Sequence, residues 1–242
     1  MNMQYKRRLP RFIAFCGPDG VGKTTQLLLL QYYLETYEKV HTKICWIRTP
    51  HLLAWILFKL WNALGYRAPP IKGNKLSKAV WIILDSANVV LKIFFSTYIF
   101  LLLGYIVLAE RYVVDTIVTN IAYFTKDWNT LKSRAYLFLL RLIPDNSLII
   151  YLDANERIIF NRRVRRRAKV DMHLVNCSIR RRVRILQGIR EQRILYKLLI
   201  NILRQAYQRR ISVYHIDTSY LEKFEVFRII ISLIGGYRRD ET

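Results

Sequence analysis

The sequence contains few cysteines, few histidines and few acidic residues, and each shortage excludes a class of chemistry. Three cysteines and four histidines are spread over 242 residues, without the spacing of a metal site or the pairing of a catalytic thiol. Such scattered cysteines favour a reduced intracellular compartment, the cytoplasm. The apolar run near the amino end, Phe12 to Cys16, is too short for a secretory signal. Internal repeats and low-complexity linkers are also lacking, so a single domain over residues 1–242 is predicted.

The shortage of acidic residues leaves a large positive charge. There are 17 Asp and Glu against 40 Lys and Arg, a net charge of +23. Such a charge attracts small nucleotides, nucleic acid or an anionic membrane surface, and it does not choose among them. The excess is local, because residues 151–210 hold 17 basic and 4 acidic residues. Arginines at positions 162, 163, 165, 166 and 167 form a cluster that a mobile lid can bring onto phosphates; a solvated basic face is the alternative.

Short apolar runs alternate with long helical patterns along the chain. This alternation is typical of an α/β domain with a parallel sheet, whose ligands bind at the carboxyl ends of the strands. The five runs predicted to be strands are Arg11 to Cys16, Lys43 to Arg48, Tyr105 to Ala109, Leu148 to Asp153 and Ser212 to Ile216. The polar residues that end these runs are therefore the first candidates for a site.

The segment Val89 to Leu108 has twenty residues and only one lysine, so its hydropathy alone permits a membrane span. Gly104 favours another interpretation, in which a helix from about Lys78 to Leu103 ends at the glycine and a buried strand follows. A strand buried on both faces reads as a continuous apolar run. We expect the break at Gly104, and association with a membrane surface stays open.

A glycine-rich stretch directly after the first predicted strand has the spacing of a phosphate-binding loop. It reads Gly17-Pro18-Asp19-Gly20-Val21-Gly22-Lys23-Thr24-Thr25. Glycines let backbone N–H groups converge on phosphate oxygens, the lysine reaches the β and γ phosphates, and the following hydroxyl binds Mg²⁺. A helix that opens at Lys23 adds the positive end of its dipole. The loop therefore predicts binding of ATP and Mg²⁺ through Gly17 to Thr25, with Thr24 as a metal ligand.

Four further elements follow the loop in an order that resembles the thymidylate kinase family of P-loop nucleoside monophosphate kinases. They are Arg48-Thr49-Pro50, Glu110-Arg111-Tyr112, Pro144-Asp145 with Tyr151-Leu152-Asp153, and Ile216-Asp217-Thr218-Ser219. The resemblance implies a three-layer sandwich with a five-stranded parallel sheet and an arginine-rich lid at about residues 157–172. It also implies ATP-dependent phosphoryl transfer to a nucleoside monophosphate, with dTMP as the default acceptor, by a protein that commonly forms a homodimer.

The resemblance also implies roles for particular residues. Lys23 holds the donor phosphates, Arg111 holds the acceptor phosphate, and Glu110 orients metal-bound water or Arg111 itself. Because Val21 stands where some family members have an arginine, Arg162 and Arg166 of the lid are expected to contact the transferring group, as an arginine finger does. The residues expected around the acceptor are Asp19, Arg48, Asn88, Arg111, Tyr112, Asp115 and Asn120.

The acceptor pocket departs from the family pattern. Asn88 stands where the family has an arginine, Asp115 replaces a serine, and Thr119 and Asn120 replace tyrosine and glutamine. The exchange makes the pocket richer in hydrogen-bond acceptors, which favours hydroxyls or amines on the bound molecule. The alternatives to a dTMP kinase are therefore a P-loop kinase of another small acceptor, such as a nucleoside, and a non-catalytic nucleotide-binding module that docks on nucleic acid or membrane.

Overall fold

The computed structural model describes residues 9–47, 83, 86–168 and 179–236. A five-stranded sheet lies at its centre, and each strand runs parallel to its neighbours in the order β2-β3-β1-β4-β5. The strands are β1 (Phe12–Cys16), β2 (Thr42–Trp46), β3 (Ile106–Glu110), β4 (Ser147–Asp153) and β5 (Ile211–Asp217). All five predicted strands are confirmed, with their ends shifted by one or two residues.

Helices connect the strands and cover both faces of the sheet. They are α1 (Lys23–Thr36), α2 (residues 86–102), α3 (Val113–Thr119, continued by a π-helical segment Asn120–Thr125), α4 (Arg134–Arg141), α5 (Glu156–Ala168), α6 (Ile179–Tyr207) and α7 (Lys223–Gly235). A short 3₁₀ helix, Trp128–Lys132, precedes α4. The described part of the chain is thus an α/β fold with a parallel sheet flanked by helices.

The three inner strands of the sheet, β3, β1 and β4, are buried on both faces. Alternate residues of a strand point to opposite sides, and on β1 Ile13 and Phe15 pack with apolar residues of α1 and α7. Phe12 and Ala14 face the other way and pack with α2, α3, α4 and α6. Each large apolar side chain buried in this way contributes about 1.5–3 kcal/mol relative to an exposed one. Burial on both sides is why these three strands appear in the sequence as largely apolar runs.

The predicted break in the Val89 to Leu108 segment is confirmed. Helix α2 contains a π-helical turn, Phe94–Tyr98, and finishes with the α-helical turn Ile99–Leu102. Gly104 then adopts a left-handed φ of 86°, which glycine reaches at little cost, and β3 begins two residues later. Among the residues described, no helix is both long and apolar enough to cross a membrane.

The strand order creates a crevice at the carboxyl edge of the sheet. The connection that leaves β1 crosses β3 to reach β2, whereas the connections that leave β3 and β4 go in the other direction. Open α/β sheets bind ligands at such topological switch points. The residues that follow β1 and β3 are the glycine-rich loop and Arg111, so both lie at this crevice.

Candidate functional site

The glycine-rich loop between β1 and α1 has a backbone that side chains would not permit. Gly17 has a φ of 140° and Gly22 a φ of 99°, values in the left-handed region that glycine favours. A Cβ atom on Gly17 would lie 2.1 Å from the carbonyl oxygen of Leu152. Gly22 caps α1 without a side-chain hydrogen bond, so the first N–H groups of this helix keep their donor capacity.

Lys23 folds back into the arch of the loop. Its Nζ donates hydrogen bonds to the carbonyl oxygens of Gly17 and Pro18, the second at 3.0 Å, and lies 3.8 Å from Asp19 Oδ1. The lysine is only 4% exposed. Burial lowers the pKa of its ammonium group, and the carboxylates of Asp115 and Asp19 partly offset that effect. A cation is therefore held inside the arch of the glycine-rich loop.

Thr24 and Glu110 join the first turn of α1 to the end of β3. The Thr24 hydroxyl donates to Glu110 Oε1 at 2.7 Å. Because the hydroxyl proton goes to the carboxylate, the lone pairs of the Thr24 oxygen stay available to a cation. Within the described residues, no group of three His, Cys, Asp or Glu side chains is placed to hold a metal. A Mg²⁺ ion that keeps its waters and binds substrate phosphates does not need such a group.

Arg111 stands at the end of β3 in a strained backbone conformation. Its φ of 59° is left-handed, which costs a residue with a side chain about 1–2 kcal/mol. Its Nη2 lies 2.6 Å from Asp19 Oδ1, and its Nε lies 4.0 Å from Glu110 Oε1. Strain of this kind concentrates at functional sites. Here it accompanies an ion pair that joins the β3 end to the glycine-rich loop.

Helix α5 brings arginines to the other side of the loop. Arg162 donates from Nη1 to Thr218 Oγ1 at 3.0 Å and from Nη2 to the Thr218 carbonyl at 2.7 Å. Burial lowers the pKa of Arg162, and Asp217 opposes that effect. Arg163 donates from Nε to the carbonyl oxygen of Asp19 at 2.6 Å. Two adjacent arginines of the cluster therefore have different partners, one at the end of β5 and one in the loop.

Most of these groups border one open cavity of about 430 Å³. It is lined by Asp19, Gly20, Gly22, Lys23, Thr24, Thr25, Leu28, Glu110, Arg111, Arg162 and Arg166. Four of the lining side chains are cationic and two are carboxylates, so the cavity has an excess of positive charge. Its position at the carboxyl ends of β1 and β3 agrees with the crevice that the strand order creates.

Four residues expected around the acceptor lie elsewhere: Asn88, Tyr112, Asp115 and Asn120 are buried and do not line this cavity. The ring of Tyr112 packs 4.7 Å from that of Phe12. All residues from 113 to 118 are buried, because α3 lies between the sheet and its neighbouring helices. Arg48 and residues 169–172 of the predicted lid fall outside the described residues.

Asp115 is a buried carboxyl group behind the loop. It is 1% exposed and accepts a hydrogen bond from Tyr196 Oη at 2.8 Å, while its Oδ2 has no hydrogen-bond partner. Burial raises its pKa to about 6, against the attraction of Lys23. Ionisation of this carboxyl group therefore lowers the stability of the folded state.

A second ionic group fastens α6 to the end of β4. Arg193 forms a bidentate pair with Asp153, at 2.7 and 2.9 Å, and a further ion pair with Glu156 at 2.6 Å. Asp153 is 2% exposed, and its hydrogen bonds raise the pKa of Arg193. The sequence predicted that the end of this strand matters, but in the structure Asp153 binds an arginine and does not line the cavity.

The structure adds two residues that the motifs did not single out. Leu28, one turn after Thr24, lines the cavity, and only its helical spacing from the loop pointed to it. Arg163 was one of several equivalent arginines in the sequence, and no local signal distinguished it.

Comparison with protein families and with curated proteins adds no relative to these observations. No protein-family model matches the chain, and no curated protein matches it significantly. What characterises the chain is therefore its geometry, an α/β fold with a parallel sheet and a cationic cavity at the switch point of that sheet.

Proposed function

We propose that the chain is an ATP-dependent kinase that transfers a phosphoryl group to a nucleoside monophosphate, with dTMP as the first acceptor to test. The observation that carries the proposal is the convergence of Lys23, Thr24, Glu110 and Arg111 on one cavity with the glycine-rich loop. These residues come from the ends of two adjacent strands, β1 and β3, and from the first turn of α1. As part of the same proposal, the α/β fold is a P-loop kinase sandwich with an arginine-rich lid.

The site fits a triphosphate. Left-handed glycines leave the loop backbone open to close approach, and Gly20 and Gly22 line the cavity. Lys23 holds phosphate oxygens by exchanging its two carbonyl partners for them, since an ammonium group gains more from an anion than from a carbonyl. Phosphoryl transfer requires mainly positioning and charge neutralisation, which an excess of cationic side chains around the cavity provides.

The site also fits a magnesium ion. Thr24 Oγ1 would hold it directly, and Glu110, which accepts a hydrogen bond from the Thr24 hydroxyl at 2.7 Å, would bind its waters. When bound, Mg²⁺ neutralises charge on the phosphate oxygens. The carboxylate of Glu110 also attracts Arg111, whose Nε lies 4.0 Å from Glu110 Oε1.

Arg111 is the group that binds the phosphate of the acceptor nucleotide. Its guanidinium is 15% exposed and already binds one carboxylate oxygen of Asp19, so an anionic oxygen suits it in geometry and charge. Asp19 can then turn to a hydroxyl of the acceptor. Arg162 and Arg166 border the same cavity from α5 and would neutralise the group in transfer.

The test is ADP release from Mg·ATP with a panel of nucleoside monophosphates and free nucleosides as acceptors. Lys23→Ala is the blank, and Lys132→Ala, an exposed lysine outside the cavity, is the matched control. We expect turnover with dTMP that falls by about 100-fold or more in Lys23→Ala and is unchanged in Lys132→Ala.

The panel also separates the alternatives. Turnover with free nucleosides only would replace the monophosphate acceptor with a nucleoside. Absence of Lys23-dependent turnover on every acceptor would reject the kinase and leave a nucleotide-binding module.

A further inference from the structure

Arg163 contacts the glycine-rich loop but is not among the residues that line the cavity. Its Nε donates to the carbonyl oxygen of Asp19 at 2.6 Å. Its other end, Nη2, lies 3.3 Å from Oε1 of Gln192, a residue of α6 that is 7% exposed. Arg163 itself does not line the cavity, whereas Asp19 and Gly20 do. The guanidinium therefore joins the back of the loop to a buried amide on α6.

The contact fixes the orientation of one peptide unit. A trans peptide is planar, so the carbonyl of Asp19 and the N–H of Gly20 point in opposite directions. Since the carbonyl accepts from Arg163, the N–H points away from that guanidinium, and Gly20 itself lines the cavity. No hydrogen bond among the described residues uses the Gly20 N–H, so this donor is available to an anion.

The conformational freedom of Gly20 means that the Asp19–Gly20 peptide needs a contact that fixes its orientation. The Gly20 φ of 99° lies in a region that glycine shares almost equally with negative values, so the residue by itself does not prevent the peptide from turning over. The stem of Arg163 packs against it: a Cβ on Gly20 would lie 3.3 Å from Arg163 Cγ. Residue 19 is also held by its carboxylate, which binds Arg111 at 2.6 Å.

We infer that Arg163 is a positioning residue, which turns the Asp19–Gly20 peptide so that the Gly20 N–H faces the donor phosphates. It acts through the loop backbone and does not touch the phosphates. The inference rests on the proposed function, because it assumes that a phosphate group occupies the cavity. It distinguishes Arg163 from its neighbour Arg162, which binds Thr218 at the end of β5.

The first measurement needs no ligand and no activity. The sequence contains a single Asp-Gly step, Asp19-Gly20, so labelling aspartate with ¹³C at the carbonyl and glycine with ¹⁵N leaves one peak in an HNCO spectrum. We expect the carbonyl shift of this peak to move upfield in Arg163→Met, because a hydrogen bond to the oxygen is lost. Arg165→Met, an exposed arginine on the same helix, should leave it unchanged.

The second measurement is calorimetric titration of the full chain with Mg·ADP. Arg163→Met should bind about 10–100-fold more weakly than the wild type, in line with loss of a charged hydrogen bond. Arg163→Lys should recover part of the affinity, since an ammonium group can reach the carbonyl but cannot also hold Gln192. The Gly20 amide proton should move downfield on ADP binding in the wild type and less so in Arg163→Met.

The outcomes are distinct. If the wild type binds Mg·ADP and Arg163→Met binds it equally well with the same Gly20 response, the inference is overturned and the proposed function stands. If the wild type does not bind Mg·ADP at all, both fall. If Arg163→Met does not fold, the same measurements are made on Arg163→Lys and Gln192→Leu. The positioning role is overturned if both variants keep the wild-type carbonyl shift and the wild-type affinity for Mg·ADP.

Discussion

Replacing Asp115 with asparagine should stabilise the protein at neutral and alkaline pH. The carboxyl group is 1% exposed. The positive charges of Lys23 and, more weakly, Arg111 partly offset the effect of burial on its pKa, whereas the carboxylate of Asp19 adds to that effect. Burial raises its pKa from an ordinary value of 3.8 to about 6. This difference in pKa corresponds to a loss of about 3 kcal/mol in the free energy of unfolding once the group is ionised.

The direction of the pH dependence follows from the raised pKa. At a pH between the unfolded and the native pKa of Asp115, the native state keeps a proton that the unfolded chain has lost. The loss of stability caused by Asp115 therefore increases from about pH 4 to about pH 6 and is complete above that range. Asparagine cannot ionise and still accepts the Tyr196 hydrogen bond. Its unpaired amide at the Oδ2 position costs about 1 kcal/mol. The net gain in Asp115→Asn is therefore about 2 kcal/mol at pH 8 and less than about 1 kcal/mol at pH 5.

The assay is urea denaturation of wild type and Asp115→Asn at both pH values, with thermal melting as a check. A gain of about 2 kcal/mol corresponds to a rise of about 4–8 °C in Tm for a chain of this size. Asp145→Asn is the matched control, because Asp145 pairs with Arg210 at the surface and its side chain is 63% exposed. It should change stability by less than about 1 kcal/mol at either pH. A difference between Asp115→Asn and wild type that does not change between pH 5 and pH 8 would refute the reasoning.

Three further predictions concern the loop and its surroundings. Gly17→Ala should lower Tm and abolish Mg·ADP binding, because its Cβ would lie 2.1 Å from a backbone carbonyl oxygen; a normal melting curve with normal binding would contradict this. Thr24→Val should raise the Mg²⁺ concentration needed for half-maximal ADP affinity by about tenfold, whereas Thr24→Ser should restore it, as a titration of Mg²⁺ at fixed ADP would show. Arg193→Met should destabilise the fold by about 3 kcal/mol in urea denaturation, since it leaves the carboxylate of Asp153 buried without its main partner; a loss below 1 kcal/mol would show that Asp153 finds another partner.

The sequence by itself determined the strands, the loop and the break at Gly104. Strands buried on both faces must be apolar throughout, and a helix cannot continue through a residue that adopts a φ of 86°. The same logic placed Lys23, Thr24, Glu110 and Arg111 at one edge, because parallel strands end together. These inferences depend only on neighbours in the chain and on the common direction of the strands.

Only the tertiary structure decided which polar residues reach the cavity. Tyr112 and Asp115 come soon after Arg111 in the sequence, yet α3 is enclosed by the sheet and other helices, so both side chains are buried. Arg162 and Arg163 are adjacent in the sequence, but successive positions on a helix point about 100° apart. One therefore meets β5 and the other meets the glycine-rich loop. The directions of these side chains depend on how the helices pack against the sheet. The sequence of one segment does not reveal that packing.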